Sequence, residues 1–210
     1  AVLAAVIEAV GETTPGESLP DRDIEPAFSG AFDRVWVLAV QLYSLRSPDN
    51  WGVGDFSDLR RLIAWAADKG AAGIGLNPLH ALFEDSSADC SPYAPSSRLF
   101  LNTLYIDVAA VPELPRDFLR DRADVIARLR ESETIAYAGV AALKRDALHA
   151  AFAAFRRDPH PDRLAAFEQF RCDRGGSLTR FAAFNVLRRV YARPWWEWPP
   201  EWRTPDDARW

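Results

Sequence analysis

Two short apolar runs separated by an amphipathic stretch constrain this chain more than any other feature in it. "VWVLAVQLYSL", Val35 to Leu45, is a near-continuous run of β-branched, aromatic and aliphatic residues, the pattern of a strand covered on both faces. The turn cluster "SPDNWGVG" follows, and Asp55 stands where a helix N-cap belongs. In "FSDLRRLIAWAADKG" the residues Phe56, Leu59, Leu62, Ile63, Ala66 and Ala67 recur at helical spacing, and Gly70 closes the pattern. "AAGIGL", Ala71 to Leu76, is a second strand-like run ended by a proline. The order predicts a βαβ unit, with Val35–Leu45 and Ala71–Leu76 as adjacent parallel strands and Phe56–Lys69 as the crossover helix. The fold class is therefore α/β.

The remainder divides into three parts. Residues 1–33 carry Gly, Pro, Asp and Glu without a period in 11–33 and read as a linker or N-terminal extension. After a long Ser/Pro loop, "LYIDVAAV", Leu104 to Val111, has the composition of one further strand, with Asp107 inside it. From Asp121 the pattern is helical. Val140, Leu143, Ala147, Ala150, Ala151 and Ala154 form one stripe, Leu164, Phe167 and Phe170 a second, and Leu178, Phe181 and Ala182 a third behind Ser177 as N-cap. Phe152, Phe155, Phe167 and Phe181 are expected to form a core of their own. The division is thus 1–33, 34–120 with the βα units, and 121–210 with a helical subdomain and a Trp/Pro-rich tail.

Composition narrows the partners. A formal charge of −5 gives no electrostatic reason to expect nucleic acid or an anionic membrane. The two cysteines, Cys90 and Cys172, form neither a CxxC nor a Cys/His cluster, so neither a disulfide framework nor a metal site is expected. No apolar run approaches the roughly 20 residues that span a bilayer. "AVLAAVIEAVGE" has no basic leader and carries Glu8, so a cytoplasmic protein is expected rather than a secreted one. The chain holds no methionine and starts at Ala1, which points to a segment of a longer polypeptide.

Few side chains have the pattern that chemistry requires. "WGVGDF" lies between a strand and a helix, but it is neither GxGxxG nor GK[ST], and Asp55 places a negative charge where a phosphate would sit. No GxSxG elbow accompanies His80, His149 and His160. His80 alone follows a strand's carboxyl end, and a structural role suits it better than catalysis. Asp55 reads as a cap, and Glu84, Asp85 and Asp89 as a solvated loop. Tyr93 differs. In "CSPYAPSSRLFLN" it sits between Pro92 and Pro95, whose rings restrict the backbone on both sides. A loop held in this way loses little entropy on binding, and an aromatic face beside Ser91, Ser96 and Ser97 suits a sugar ring. On these residues alone a structural tyrosine is favoured over a ligand platform.

"AVQLYSLRSPDNWGVGDFSDLRRL", "GAAGIGLNPLHALF" and "CSPYAPSSRLFLNTLYIDV" occur together, in this order and spacing, over Ala39 to Val111. In this the chain resembles the 4-α-glucanotransferases, or amylomaltases, of the α-amylase clan. "AALKRDALHAAFAAF…FRCDRGGSL" with the Trp/Pro-rich stretch resembles that family's helical insertion. The resemblance implies an incomplete TIM (β/α)8 barrel, its first βα units with a mainly helical insertion. It also implies a retaining, cofactor-free transfer of α-1,4-glucan segments to the 4-hydroxyl of an acceptor glucan or glucose. It places the nucleophile, the acid and a second aspartate on later strands, so no catalytic residue is expected in this chain. Tyr93 falls on the family's active-site tyrosine and is the expected substrate-binding residue, with Ser91 shaping its turn. The family's Asn-Pro-Leu is here Asn102-Thr103-Leu104. A non-catalytic glucan-binding module and a purely structural domain are the alternatives.

Overall fold

The computed structural model describes residues 35–83 and 90–204. The linker expected over 1–33 and the acidic residues Glu84, Asp85 and Asp89 lie outside the described residues.

The βαβ unit forms as its pattern requires. Strand β1 (Val37–Val40) pairs in parallel with β2 (Gly73–Leu76), Val37 opposite Gly73 and Val40 opposite Leu76. Helix α1 (Phe56–Asp68) connects them. Asp55 caps α1 by accepting the amides of Ser57 and Asp58, and the Asp58 side chain returns to accept the Asp55 amide. That reciprocal pair satisfies donors the first turn would otherwise leave open. At the other end the Gly70 amide donates to Ala67 and the Ala71 amide to Ala66, with Gly70 at φ 79°. The positive φ is why glycine stops the helix there.

The first apolar run is shorter as a strand than Val35–Leu45. Its second half turns into a 3-10 turn, Leu42–Ser44, because the Leu42 amide donates to the Asn77 side chain (2.8 Å) rather than to a neighbouring strand. The strand expected at Leu104–Val111 does not form. Its place is taken by two 3-10 turns, Thr103–Tyr105 and Val108–Ala110. Asn102 Oδ1 accepts the Leu104 amide, and Asp107 Oδ1 accepts those of Ala109 and Ala110. Side-chain acceptors of this kind offer the backbone an alternative to a ladder. Asp107 is thus a cap rather than a buried strand carboxylate. A second pair of strands, β3 (His80–Ala81) and β4 (Ser97–Leu101), forms an irregular antiparallel hairpin in which His80 faces Leu101 and Ala81 faces Ser97.

The helical half begins at Arg116, earlier than Asp121, with α2 (Arg116–Arg120), α3 (Ala123–Glu131), α4 (Tyr137–Arg157) and α5 (Pro161–Tyr191). A final turn of helix, α6, spans Pro200–Arg203. Within α5, Gly175 has φ 48° and ψ −138°, so the helix is broken there into two arms. The third stripe, Leu178, Phe181 and Ala182, therefore lies on the second arm of α5, which begins just after Gly175, close to the expected start at Ser177.

The core lies elsewhere than the phenylalanine stripes. Val140, Leu143, Ala147 and Ala151 of α4 are buried as their spacing predicts, the last three against Trp51, Val108, Leu114, Phe118 and Ile126. Trp51 stacks on Phe118 with centroids 6.5 Å apart. A second cluster, Leu42, Leu59, Leu79 and Tyr105, seals α1 onto the strands. Phe152, Phe155 and Phe167 touch one another at 5.4–6.2 Å between α4 and α5, yet Phe152 is 47% exposed and α5 has no buried residue. Phe181 instead stacks on Phe100 of β4 at 4.2 Å. Three of the rings are contacts on a half-open face and the fourth lies against the hairpin, so the four form no core of their own; the buried stripe of α4 is already occupied by Trp51 and its neighbours.

Candidate functional site

Tyr93 is carried on the connection between β3 and β4, and the backbone around it is held at two points. The Ala94 amide donates to the Ser91 carbonyl (3.1 Å), closing a β-turn with Pro92 second and Tyr93 third. Proline at the second position presets the backbone dihedral that such a turn needs. Ser91 Oγ also accepts the Tyr93 amide (3.4 Å). Three residues beyond Tyr93, Ser96 donates twice to the Ala81 carbonyl, by its amide (2.9 Å) and its hydroxyl (3.1 Å). The tyrosine ring itself is 72% exposed.

A cavity of about 330 Å³, not lined by Tyr93, is bounded by Phe83 and Cys90 of the hairpin connection, Lys144 and His149 of α4, and Asn185 and Arg189 of α5. The second arm of α5 reaches the hairpin through the Phe181–Phe100 stack and through Arg188, whose guanidinium lies 4.1 Å from the centre of the Phe83 ring. Polar groups of the cavity lining are engaged within the protein: Lys144 Nζ donates to the Leu104 and Ile106 carbonyls, and Asn185 Nδ2 to the Phe181 carbonyl (2.9 Å). His149 is exposed and His160 is exposed, so both stand on the surface as their charged surroundings imply. His80 is half-buried in β3.

Several polar groups that hold the site have no sequence motif. Asn77 Oδ1 accepts the Leu42 amide, and its Nδ2 donates to the Tyr105 hydroxyl (3.1 Å) and the Pro78 carbonyl (2.8 Å). One side chain thus joins the end of β2 to two 3-10 turns. Burial pushes the Tyr105 phenol up, against the Asn77 bond, which favours ionisation. Asp58 receives Asn50 Nδ2 (2.7 Å) and Arg61 (2.7 Å) as well as the Asp55 amide. Burial raises its carboxyl, but hydrogen bonds from Ser47, Asn50, Arg61 and the Asp55 backbone outweigh that and hold it low. Burial is the largest influence on Asp55 and raises it.

Lys144 is the other hidden group. It is 2% exposed, and its Nζ donates to the carbonyls of Leu104 (2.6 Å) and Ile106 (2.7 Å). Burial brings its pKa down to about 8, although the carboxylates of Asp55, Asp107 and Asp58 pull the other way. The signal for it was present: Lys144 stands on the stripe of Val140, Leu143, Ala147 and Ala151, an apolar face on which a lysine has no reason to sit unless paired. The glycines of "WGVG" serve close packing rather than an anion. A Cβ on Gly52 would stand 2.3 Å from the Leu129 carbonyl oxygen, and one on Gly54 2.1 Å from that of Leu42.

Among the described residues no helix is long and apolar enough to cross a membrane, and no group of three His, Cys, Asp or Glu side chains is placed to hold a metal ion.

Comparison with known proteins completes the description. A crystal structure of amylomaltase from Corynebacterium glutamicum superposes with a TM-score of 0.68 at 33% identity, over 84% of this chain and 25% of that one. A 4-alpha-glucanotransferase from Haemophilus influenzae is 41% identical over 164 residues, 73% of this chain and 24% of that one. One from Mycobacterium tuberculosis is 39% identical over 185 residues, 82% of this chain and 25% of that one. The chain spans about a quarter of the length of these relatives. The family model described as 4-alpha-glucanotransferase matches residues 40–210, and the chain, with its parallel βαβ unit and its proline-framed tyrosine loop, belongs to the 4-alpha-glucanotransferase family.

Proposed function

We propose that this chain is part of an enzyme that moves α-1,4-glucan segments between sugars, and that Tyr93 is its contact with the ring under attack. The polypeptide would supply the first βα units of a (β/α)8 barrel over 34–120 and a helical insertion over 121–210, acting in the cytoplasm without a cofactor. Such a barrel places its chemistry at the carboxyl ends of its strands. The retaining reaction needs a carboxylate that attacks the anomeric carbon and an acid that protonates the departing 4-oxygen. The glycosyl ester is then opened by the 4-hydroxyl of an acceptor glucan or glucose, which gives its proton back to the same acid. On this reading those carboxylates belong to later strands of the barrel.

The observation that carries this reading is the exposure of Tyr93 at the tip of a turn whose backbone is hydrogen-bonded on both sides. A structural tyrosine would have its ring covered. A ring held in position with an open face is ready to stack on the apolar face of a sugar, and Ser91 sets the angle at which it is presented. If the ring helps the sugar flatten toward an oxocarbenium-like state, part of its contribution appears only in the transition state. Tyr93→Ala in the full-length enzyme is then expected to lower kcat as well as raise KM, with stability changed by no more than about 0.5 kcal/mol. Steady-state kinetics on maltotriose and thermal unfolding of the same variant check it. Unchanged kcat in a stable variant would end the reading.

A further inference from the structure

We propose that Ser96 is a positioning residue for Tyr93, acting through its double bond to the Ala81 carbonyl; this rests on the reading of Tyr93 as a substrate contact. The hairpin that carries the loop is weakly paired. One step along β3, from His80 to Ala81, corresponds to four along β4, from Leu101 to Ser97, so Arg98, Leu99 and Phe100 pass without partners in register. Leu99 is exposed accordingly. An irregular ladder of this kind specifies the direction of the outgoing chain poorly. The last fixed point before the loop is therefore the Ala81 carbonyl, and both of its accepting positions are taken by Ser96.

Only Ala94 and Pro95 separate Ser96 from Tyr93, and the proline permits little rotation between them. The turn closed by Ser91 fixes the shape of the loop's tip but makes no link to the strands. Ser96 supplies that link. With the amide alone as donor, the Ser96 backbone can pivot about a single hydrogen bond. The hydroxyl, bonding the same oxygen from a second direction, removes the pivot. Tyr93 then meets the sugar at one angle rather than several, which matters because small misplacements of an orienting group are costly to rate.

The test uses the full-length enzyme and four variants: Ser96→Ala, Ser96→Thr, Tyr93→Ala, and Tyr93→Ala with Ser96→Ala. Alanine keeps the amide bond to Ala81, so the hairpin folds; threonine keeps the hydroxyl as well. Ser96→Ala is expected to lower kcat/KM on maltotriose about 3- to 10-fold with its midpoint of unfolding nearly unchanged, and Ser96→Thr to recover most of the loss. In the Tyr93→Ala background the Ser96→Ala substitution should have no further effect, since a residue acting through Tyr93 has nothing left to position. Losses that multiply in the double variant, or a Ser96→Ala enzyme of full activity beside an impaired Tyr93→Ala enzyme, overturn the inference and leave the role of Tyr93 standing. Full activity in Tyr93→Ala removes the underlying reading and the inference together.

Discussion

Lys144 shows how a single buried charge ties two parts of the chain together. Its ammonium sits among apolar residues of α4 and holds the backbone of the loop after β4 by two carbonyls. In the unfolded chain a lysine titrates near 10.5, whereas in the fold this one titrates at about 8. Between those values the unfolded chain retains the proton and the folded chain has released it, so the contribution of this group to stability rises with pH across that window. Below about 8 both states are protonated and the contribution is constant at its least favourable. Thermal unfolding of the chain and of Lys144→Met from pH 7 to pH 10 is therefore expected to show the native protein gaining on the variant as pH rises. A difference that stays flat would contradict the assignment. The same residue marks a limit of reading a sequence: periodicity counts apolar positions and passes over one polar position whose partners are backbone carbonyls forty residues away.

Elements were legible where local pattern and tertiary packing agree. β1, α1 and β2 agree because Asp55, the apolar stripe and Gly70 each fix one boundary by local hydrogen bonding. Leu104–Val111 was misread because its composition suits a strand, while Asn102 and Asp107 cap two 3-10 turns instead. An Asn or Asp immediately before each three-residue turn, Asn102 and Asp107, was the available signal. Thr103 opens the first of these turns, a position whose preceding residue, Asn102, at φ −73° and ψ 123°, would accept the family's proline as well. The phenylalanines were misjudged because spacing identifies a face but not what covers it. The turn between β1 and α1 provides a sharper test of packing. Gly52 combines φ 87° with a Cβ position 2.3 Å from the backbone of α3, whereas Gly70 has φ 79° with open space around it. Gly52→Ala should cost well over about 1 kcal/mol, and Gly70→Ala roughly 1 kcal/mol from the backbone alone. Urea unfolding that ranks the two the other way would refute the close approach of the turn to α3.

At the scale of the whole molecule, the apolar surface is uneven. Val35, Trp36 and Val37 at the start of β1, Trp65 of α1 and Leu99 of β4 are all exposed. Three of these are consecutive, Val35 to Val37, and relatives about four times as long have chain enough to cover such residues. The tyrosine loop was legible in the sequence because its prolines are local, whereas the carbonyl that anchors it could be found only in three dimensions. On the function proposed above, in which the reacting carboxylates lie on later strands outside this chain, the chain taken alone is expected to release no glucose from maltotriose. Measured glucose release by the purified 210-residue chain would overturn that assignment. The break at Gly175 carries a last consequence. The arm of α5 before it rests on Phe152 and Phe155 of α4, and the arm after it on Phe100 and Phe83 of the hairpin. Neither arm buries a residue, and the backbone between them leaves helical φ/ψ at Gly175. Deuterium uptake should therefore resolve α5 into two cooperative units with different opening free energies, the first exchanging independently of the hairpin. A single protection level along the whole helix would mean that the two arms melt as one.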